Sequence, residues 1–116
     1  MQAFPQTLHF LGTNFPRREE FTLTDLPVEG SMPAALEGAF FRAVPDNAHP
    51  PKFEDEVALS ADGMIARFEF RSGKVDFAIR YVETERYLLE KAAGRALFGR
   101  YRNPFTDDPS VAGKDR

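Results

Sequence analysis

The chain has 116 residues, 42% hydrophobic and 28% charged, which suits one small domain and is too short for a two-domain enzyme. With 15 Lys+Arg against 18 Asp+Glu the net charge is −3, leaving no basic footprint for nucleic acid and no polybasic membrane anchor. The absence of cysteine excludes a disulfide framework, a Cys-ligated zinc, an iron–sulfur cluster and a thiol nucleophile, and 2 His are too few for a centre needing three or four imidazoles.

Residues 1–20 read as an extended N-terminal arm, because Pro5, Gly12, Pro16 and the run Arg17-Arg18-Glu19-Glu20 break any period. The first residues, from Met1 to Thr7, carry neither a basic nor an apolar stretch of the signal-peptide kind. No run approaches the ~18–20 apolar residues of a membrane span, so a cytoplasmic protein is expected. Phe21, Leu23, Leu26 and Val28 form a short strand-like segment that Pro27 demotes to an edge. A second strand runs from Leu36 to Val44 and stops at Pro45; residues 46–52 are loop.

The sharpest local signal lies over 64–82. Ala66, Phe68 and Phe70 alternate with Arg67, Glu69 and Arg71; Val75, Phe77, Ile79 and Tyr81 alternate with Lys74, Asp76 and Arg80. Ser72-Gly73 joins the two runs, predicting an antiparallel hairpin with a two-residue turn. One face is apolar. On the other, Arg67, Glu69, Asp76 and Arg80 are expected to pair across the strands. Thr84 is an N-cap candidate and Gly94 a stop, which predicts a helix over 85–93 with Leu88, Leu89, Ala92 and Ala93 at helical spacing. Residues 95–108 read as an aromatic loop and 109–116 as a polar tail without a packing signal.

Few residues carry a chemical signal. His9 and His49 lack partners at ligand spacing and read as structural or solvent-exposed. Glu54-Asp55-Glu56 could hold a hard cation, but in a strand only Glu54 and Glu56 would converge, and a solvated charge run is the favoured reading. Asp62-Gly63 reads as a tight turn; its single glycine and following strand do not make a phosphate loop. No Gly-x-Ser-x-Gly elbow is present. Tyr101, among Arg100, Arg102 and Asn103, stands outside any periodic face; its hydroxyl could meet a ligand, although packing is the commoner role for such a residue.

Several blocks together resemble the carotenoid cleavage oxygenases. They are Gly30 to Arg42 (a G-x-hydrophobic-P-x-x-L-x-G-x-hydrophobic-x-R pattern), Asp62-Gly63-Met64, and Arg80-Tyr81-Val82-Glu83-Thr84. Phe53-Glu54-Asp55, Leu97-Phe98-Gly99 and Tyr101-Arg102-Asn103-Pro104-Phe105-Thr106-Asp107-Asp108 are similar to the lignostilbene dioxygenase branch. The resemblance implies a mainly β fold: the arm plus the first blade of a seven-bladed β-propeller with one short helix over 85–93, an incomplete domain, with the partial propeller region at 21–108.

It also implies a non-haem Fe(II), held by four His in the full-length family, that cleaves a C=C bond of a stilbene or carotenoid-type substrate to carbonyl products. His9 and His49 do not align with those ligands, so neither a catalytic nor a metal-binding residue carries over, and no cofactor is expected on this chain alone. Two substrate-binding positions do map. Tyr101 keeps the branch's cleft tyrosine, able to hydrogen-bond a substrate phenol, while Leu59 stands where the branch has an aromatic. Ser60 and Ala61 also depart from the branch's usual pair.

The expected function is therefore that of an N-terminal fragment of such a dioxygenase, inactive in isolation. Its partners would be an apolar aromatic or polyene substrate. One alternative is half of a split enzyme with a complementing C-terminal chain; another is a non-catalytic β module binding an aromatic ligand. An isolated blade would expose the Phe-rich face of the hairpin and melt without cooperativity.

Overall fold

The computed structural model describes residues 3–116; Met1 and Gln2 of the expected arm lie outside the described residues. Two compact units emerge, neither contiguous in sequence. One joins the described residues up to Arg18 with Pro45–Gly63 and Val82–Arg116; the other joins Glu19–Val44 and Met64–Tyr81.

The second unit carries a four-stranded sheet of order β1-β4-β3-β2, formed by β1 (Phe21–Leu23), β2 (Gly38–Pro45), β3 (Gly63–Arg71) and β4 (Lys74–Tyr81), of which only the end residues Pro45 and Gly63 fall in the first unit. β3 and β4 pair antiparallel from Met64↔Tyr81 to Arg71↔Lys74, following the alternation of the sequence. Ser72 (φ 51°) and Gly73 (φ 75°) both occupy the left-handed region, the geometry of a type I′ turn, whose twist matches that of the flanking strands. β1 pairs antiparallel with β4, Phe21 opposite Ile79 and Leu23 opposite Phe77. Phe21, Phe77, Phe68 and Phe40 then run as a row across the sheet, with ring centroids 5.5, 4.8 and 6.3 Å apart.

Three expectations for this unit need correction. Leu26 and Val28 lie outside β1, beyond Asp25 (φ 52°), whose amide donates to Asp76. The Phe-rich face of the hairpin is not laid open: Met64, Ala66, Val75 and Tyr81 are buried, and Phe68, Phe70 and Phe77 half-buried. The exposed rings are instead Phe40 and Phe41 on β2. The charged side chains also find partners other than one another across the hairpin. The register sets Glu69 opposite Asp76 and Arg71 opposite Lys74, so Glu69 pairs along its own strand with Arg67 (3.7 Å) and Arg71. Arg80 turns to β1 and donates to the Phe21 carbonyl and the Thr22 hydroxyl.

The first unit contains the helix α1 (Glu85–Ala93) and short 3-10 turns. The Thr84 hydroxyl oxygen caps α1 by accepting from the Tyr87 amide (3.0 Å), and the helix stops at Gly94. Its buried positions are Tyr87 and Glu90, whereas Leu88, Ala92 and Ala93, noted for their helical spacing, are exposed. The arm turns back on itself through a 3-10 turn at Gly12–Asn14, with the Phe4 ring packed on Phe10 and Phe15. The end of the chain packs too, contrary to a free polar tail. Val111 is 2% exposed and clusters with Leu97 and Phe98, Arg116 lies over the Phe98 ring, and Lys114 pairs with Glu85. One apolar residue at the right place, together with carboxylate partners on α1 and the aromatic loop, suffices to dock a polar segment.

Candidate functional site: a cleft wall in the first unit

An open cleft of about 280 Å³ lies in the first unit, and both positions singled out in the sequence, Leu59 and Tyr101, line it. Leu59 sits in the 3-10 turn Ala58–Ser60 and Tyr101 in the loop after α1; both are more than half exposed. Ser60, Ala61, Arg86 and Arg102 contribute to the same wall. The arrangement offers an apolar side chain, a phenol hydroxyl and guanidinium groups to one solvent-open space, suited to a flat aromatic molecule with a polar end.

The loop bearing Tyr101 is held by its own polar groups. The Asp108 amide donates to the Leu97 carbonyl (2.7 Å) and closes the loop. The Gly99 amide donates to Asp107 Oδ1 and the Arg100 amide to Thr106 Oγ1, both at 2.7 Å. Gly99 is required by proximity: a Cβ built there would lie 2.3 Å from Thr106 Oγ1 and 2.4 Å from the Thr106 carbonyl oxygen.

Behind the cleft stands a buried polar group that the sequence reading missed. Glu90 is 2% exposed. Its Oε1 accepts from Arg86 Nε (2.9 Å), and its Oε2 accepts from the amides of Leu97 (2.6 Å) and Phe98 (3.3 Å). Arg86 also donates to the Ser60 carbonyl (2.7 Å) and lies 3.8 Å from Asp62 Oδ1. The one available signal was the Arg86/Glu90 spacing of four on a helix.

Other residues sit differently from expectation. Glu54, Asp55 and Glu56 lie in a turn rather than a strand, so Glu54 and Glu56 do not converge. Glu56 is buried and accepts from the Ser60 hydroxyl (2.9 Å), leaving the solvated reading to Glu54 and Asp55. Asp62-Gly63 is not a tight turn. Asp62 is 8% exposed and accepts from the Ala48 amide (3.0 Å), and Gly63 begins β3. His9 is exposed, while half-buried His49 lines a small cavity of about 10 Å³ with Asn47, Glu56 and Glu90.

Two carboxylates are tuned by their partners. A hydrogen bond from Arg100 (2.8 Å) holds the Asp55 carboxyl below its usual value, and that guanidinium also covers the Phe53 ring at 4.5 Å. The Ser110 hydroxyl and amide, and then Arg95, hold the Asp108 carboxyl well below the usual carboxylate range.

Among the described residues no group of three or more His, Cys, Asp or Glu is placed to hold a metal ion, and His9 and His49 belong to no such cluster. The described residues thus do not fit the four-histidine iron site that the resemblance implies. Among them, too, no helix is long and apolar enough to cross a membrane.

The family model described as retinal pigment epithelial membrane protein, RPE65, matches residues 14–116. The chain is 47% identical to lignostilbene-alpha,beta-dioxygenase isozyme III of Sphingomonas paucimobilis over 116 residues, which is 100% of this chain and 24% of that protein. It is 47% identical over 110 residues to resveratrol cleavage oxygenase 1 of Chaetomium globosum, covering 95% of this chain and 18% of that one. The crystal structure of Pseudomonas brassicacearum lignostilbene dioxygenase superposes with a TM-score of 0.94 at 39% identity, over 100% of this chain and 24% of the enzyme. The chain therefore spans 18–24% of the length of these relatives, and its sheet and helix reproduce 24% of a propeller oxygenase fold. On the match over residues 14–116, the chain belongs to the RPE65 family of carotenoid cleavage oxygenases.

Proposed function

We propose that this chain forms one wall of the substrate cleft of an oxygenase that cleaves the C=C bond of a phenolic stilbene to two carbonyl products. The observation that carries this reading is the meeting of Leu59 and Tyr101, far apart in sequence, on one cleft of about 280 Å³. The relatives named for lignostilbene and resveratrol support the substrate class.

In this reading Leu59 packs against an aromatic ring of the substrate, and the Tyr101 hydroxyl hydrogen-bonds its phenol. Fixing the ring at both points orients the alkene relative to the rest of the fold. The Fe(II) that activates dioxygen in such an enzyme requires ligands other than the residues described. They would come from the remainder of the propeller, whether continuous with this chain or supplied by a complementing C-terminal chain. The chain's own contribution is to bind and orient.

The test replaces the matching quarter of the Sphingomonas paucimobilis isozyme with this chain and measures aldehyde release from 4-hydroxystilbene. Turnover is expected, with Tyr101→Phe lowering kcat/KM about tenfold, the loss of one hydrogen bond. A folded fusion that releases no aldehyde, or a Tyr101→Phe variant with unchanged kcat/KM, refutes the reading.

A further inference from the structure

We propose that Glu90 and Arg86 are a positioning pair that sets the spacing between Leu59 and Tyr101, and thereby the preference of the cleft for a phenolic ring over an unsubstituted one. The inference rests on the cleft reading above.

The connections run in both directions from one buried ion pair. Through Oε2, Glu90 holds the amides of Leu97 and Phe98, the residues that open the Tyr101 loop. Through Oε1 it holds Arg86, whose second donor group holds the Ser60 carbonyl, next to Leu59. The Ser60 hydroxyl is fixed in turn on Glu56.

The choice of groups is informative. A carboxylate 2% exposed is costly to desolvate, and a well-packed apolar pair would commonly be as stable. What apolar contacts lack is direction. Two amide bonds to the Glu90 carboxylate and one from Arg86 to the Ser60 carbonyl define where two backbone segments stand relative to α1, and a hydrogen bond from Tyr101 to a phenol depends on distance and angle. A small displacement of either segment costs the polar contact and leaves apolar contact with the ring largely intact.

The experiment uses the fusion described above and reads the ratio of dissociation constants for stilbene and 4-hydroxystilbene. Glu90→Gln keeps the shape but turns one oxygen into a donor; Arg86→Lys keeps the charge but cannot serve Glu90 and Ser60 as a fork. Glu90→Gln is expected to reduce the preference for the phenol about tenfold, Arg86→Lys by less, and neither to add to the effect of Tyr101→Phe. Hydrogen exchange over residues 95–101 should quicken about tenfold in Glu90→Gln. Equal weakening of both ligands per folded molecule, the mark of a merely structural role, overturns the inference, as does an unchanged ratio. If Tyr101→Phe leaves the ratio unchanged, the phenol reading of the cleft falls instead. Exchange then decides the pair alone, and unchanged exchange in Glu90→Gln overturns it. Should Glu90→Gln fail to fold, Arg86→Lys carries the same two readouts.

Discussion

The sheet unit and the cleft unit are built by different means. In the sheet, side chains one residue apart face opposite ways, so a local pattern of Phe, Ile and Val against charge specifies both the strands and their register. In the cleft unit, three stretches of chain are joined through side-chain hydrogen bonds, Arg86 donating to the Ser60 carbonyl, Arg100 to Asp55, and the Arg17 and Arg18 amides to Asp46, while the buried carboxylates of Glu90 and Asp62 hold backbone amides within a stretch. Apolar burial tolerates adjustment, whereas a buried carboxylate does not, so the two units should respond differently to mutation.

The largest effect is expected at Glu90. Glu90→Ala leaves two buried amides without their acceptor and Arg86 with Asp62, at 3.8 Å, as its remaining counter-charge, and should cost about 3 kcal/mol in urea unfolding. Amides in residues 95–101 should lose protection first while those of β3 and β4 keep theirs; loss in β3 and β4 at the same rate would break the distinction between the units. Gly99→Ala comes next, at about 2–3 kcal/mol, because the Thr106 contact forces the loop open. On the sheet side, Phe68→Ala removes a half-buried ring between Phe40 and Phe77 and should cost about 2 kcal/mol, less than the loss of a fully buried ring. Thr84→Ala removes the α1 cap and should cost about 1 kcal/mol.

The smallest effect is in the pH dependence of the cleft unit. Asp55 and Asp108 titrate lower in the folded chain than when unfolded, so each stabilises above the ordinary carboxylate pKa of about 4. That contribution fades as the pH falls from there toward the folded values. Thermal melts between neutral pH and pH 3 should show a decline that Asp108→Asn flattens, and a decline of equal steepness in that variant would remove the assignment.

The hairpin, its Ser72-Gly73 turn and the Thr84-to-Gly94 helix could be read directly, because each depends on residues within a few positions of one another. Leu59 was legible only through the family resemblance, whereas Tyr101 also stood out by its polar loop neighbours; nothing around either residue indicated that they share a cleft. The docking of Val111 and the burial of Glu56 were misread for one reason: composition said charged or polar, and polarity was taken for exposure.

The sequence by itself determined the strand alternation, the turn and the helix boundaries, since backbone sterics and local capping act over short stretches of chain. Only the tertiary structure decided which charges go inside. A carboxylate such as Glu90 can be buried when the chain, after leaving α1 at Gly94, folds back so that the amides of Leu97 and Phe98 meet it beside Arg86, and that packing is a property of the folded molecule.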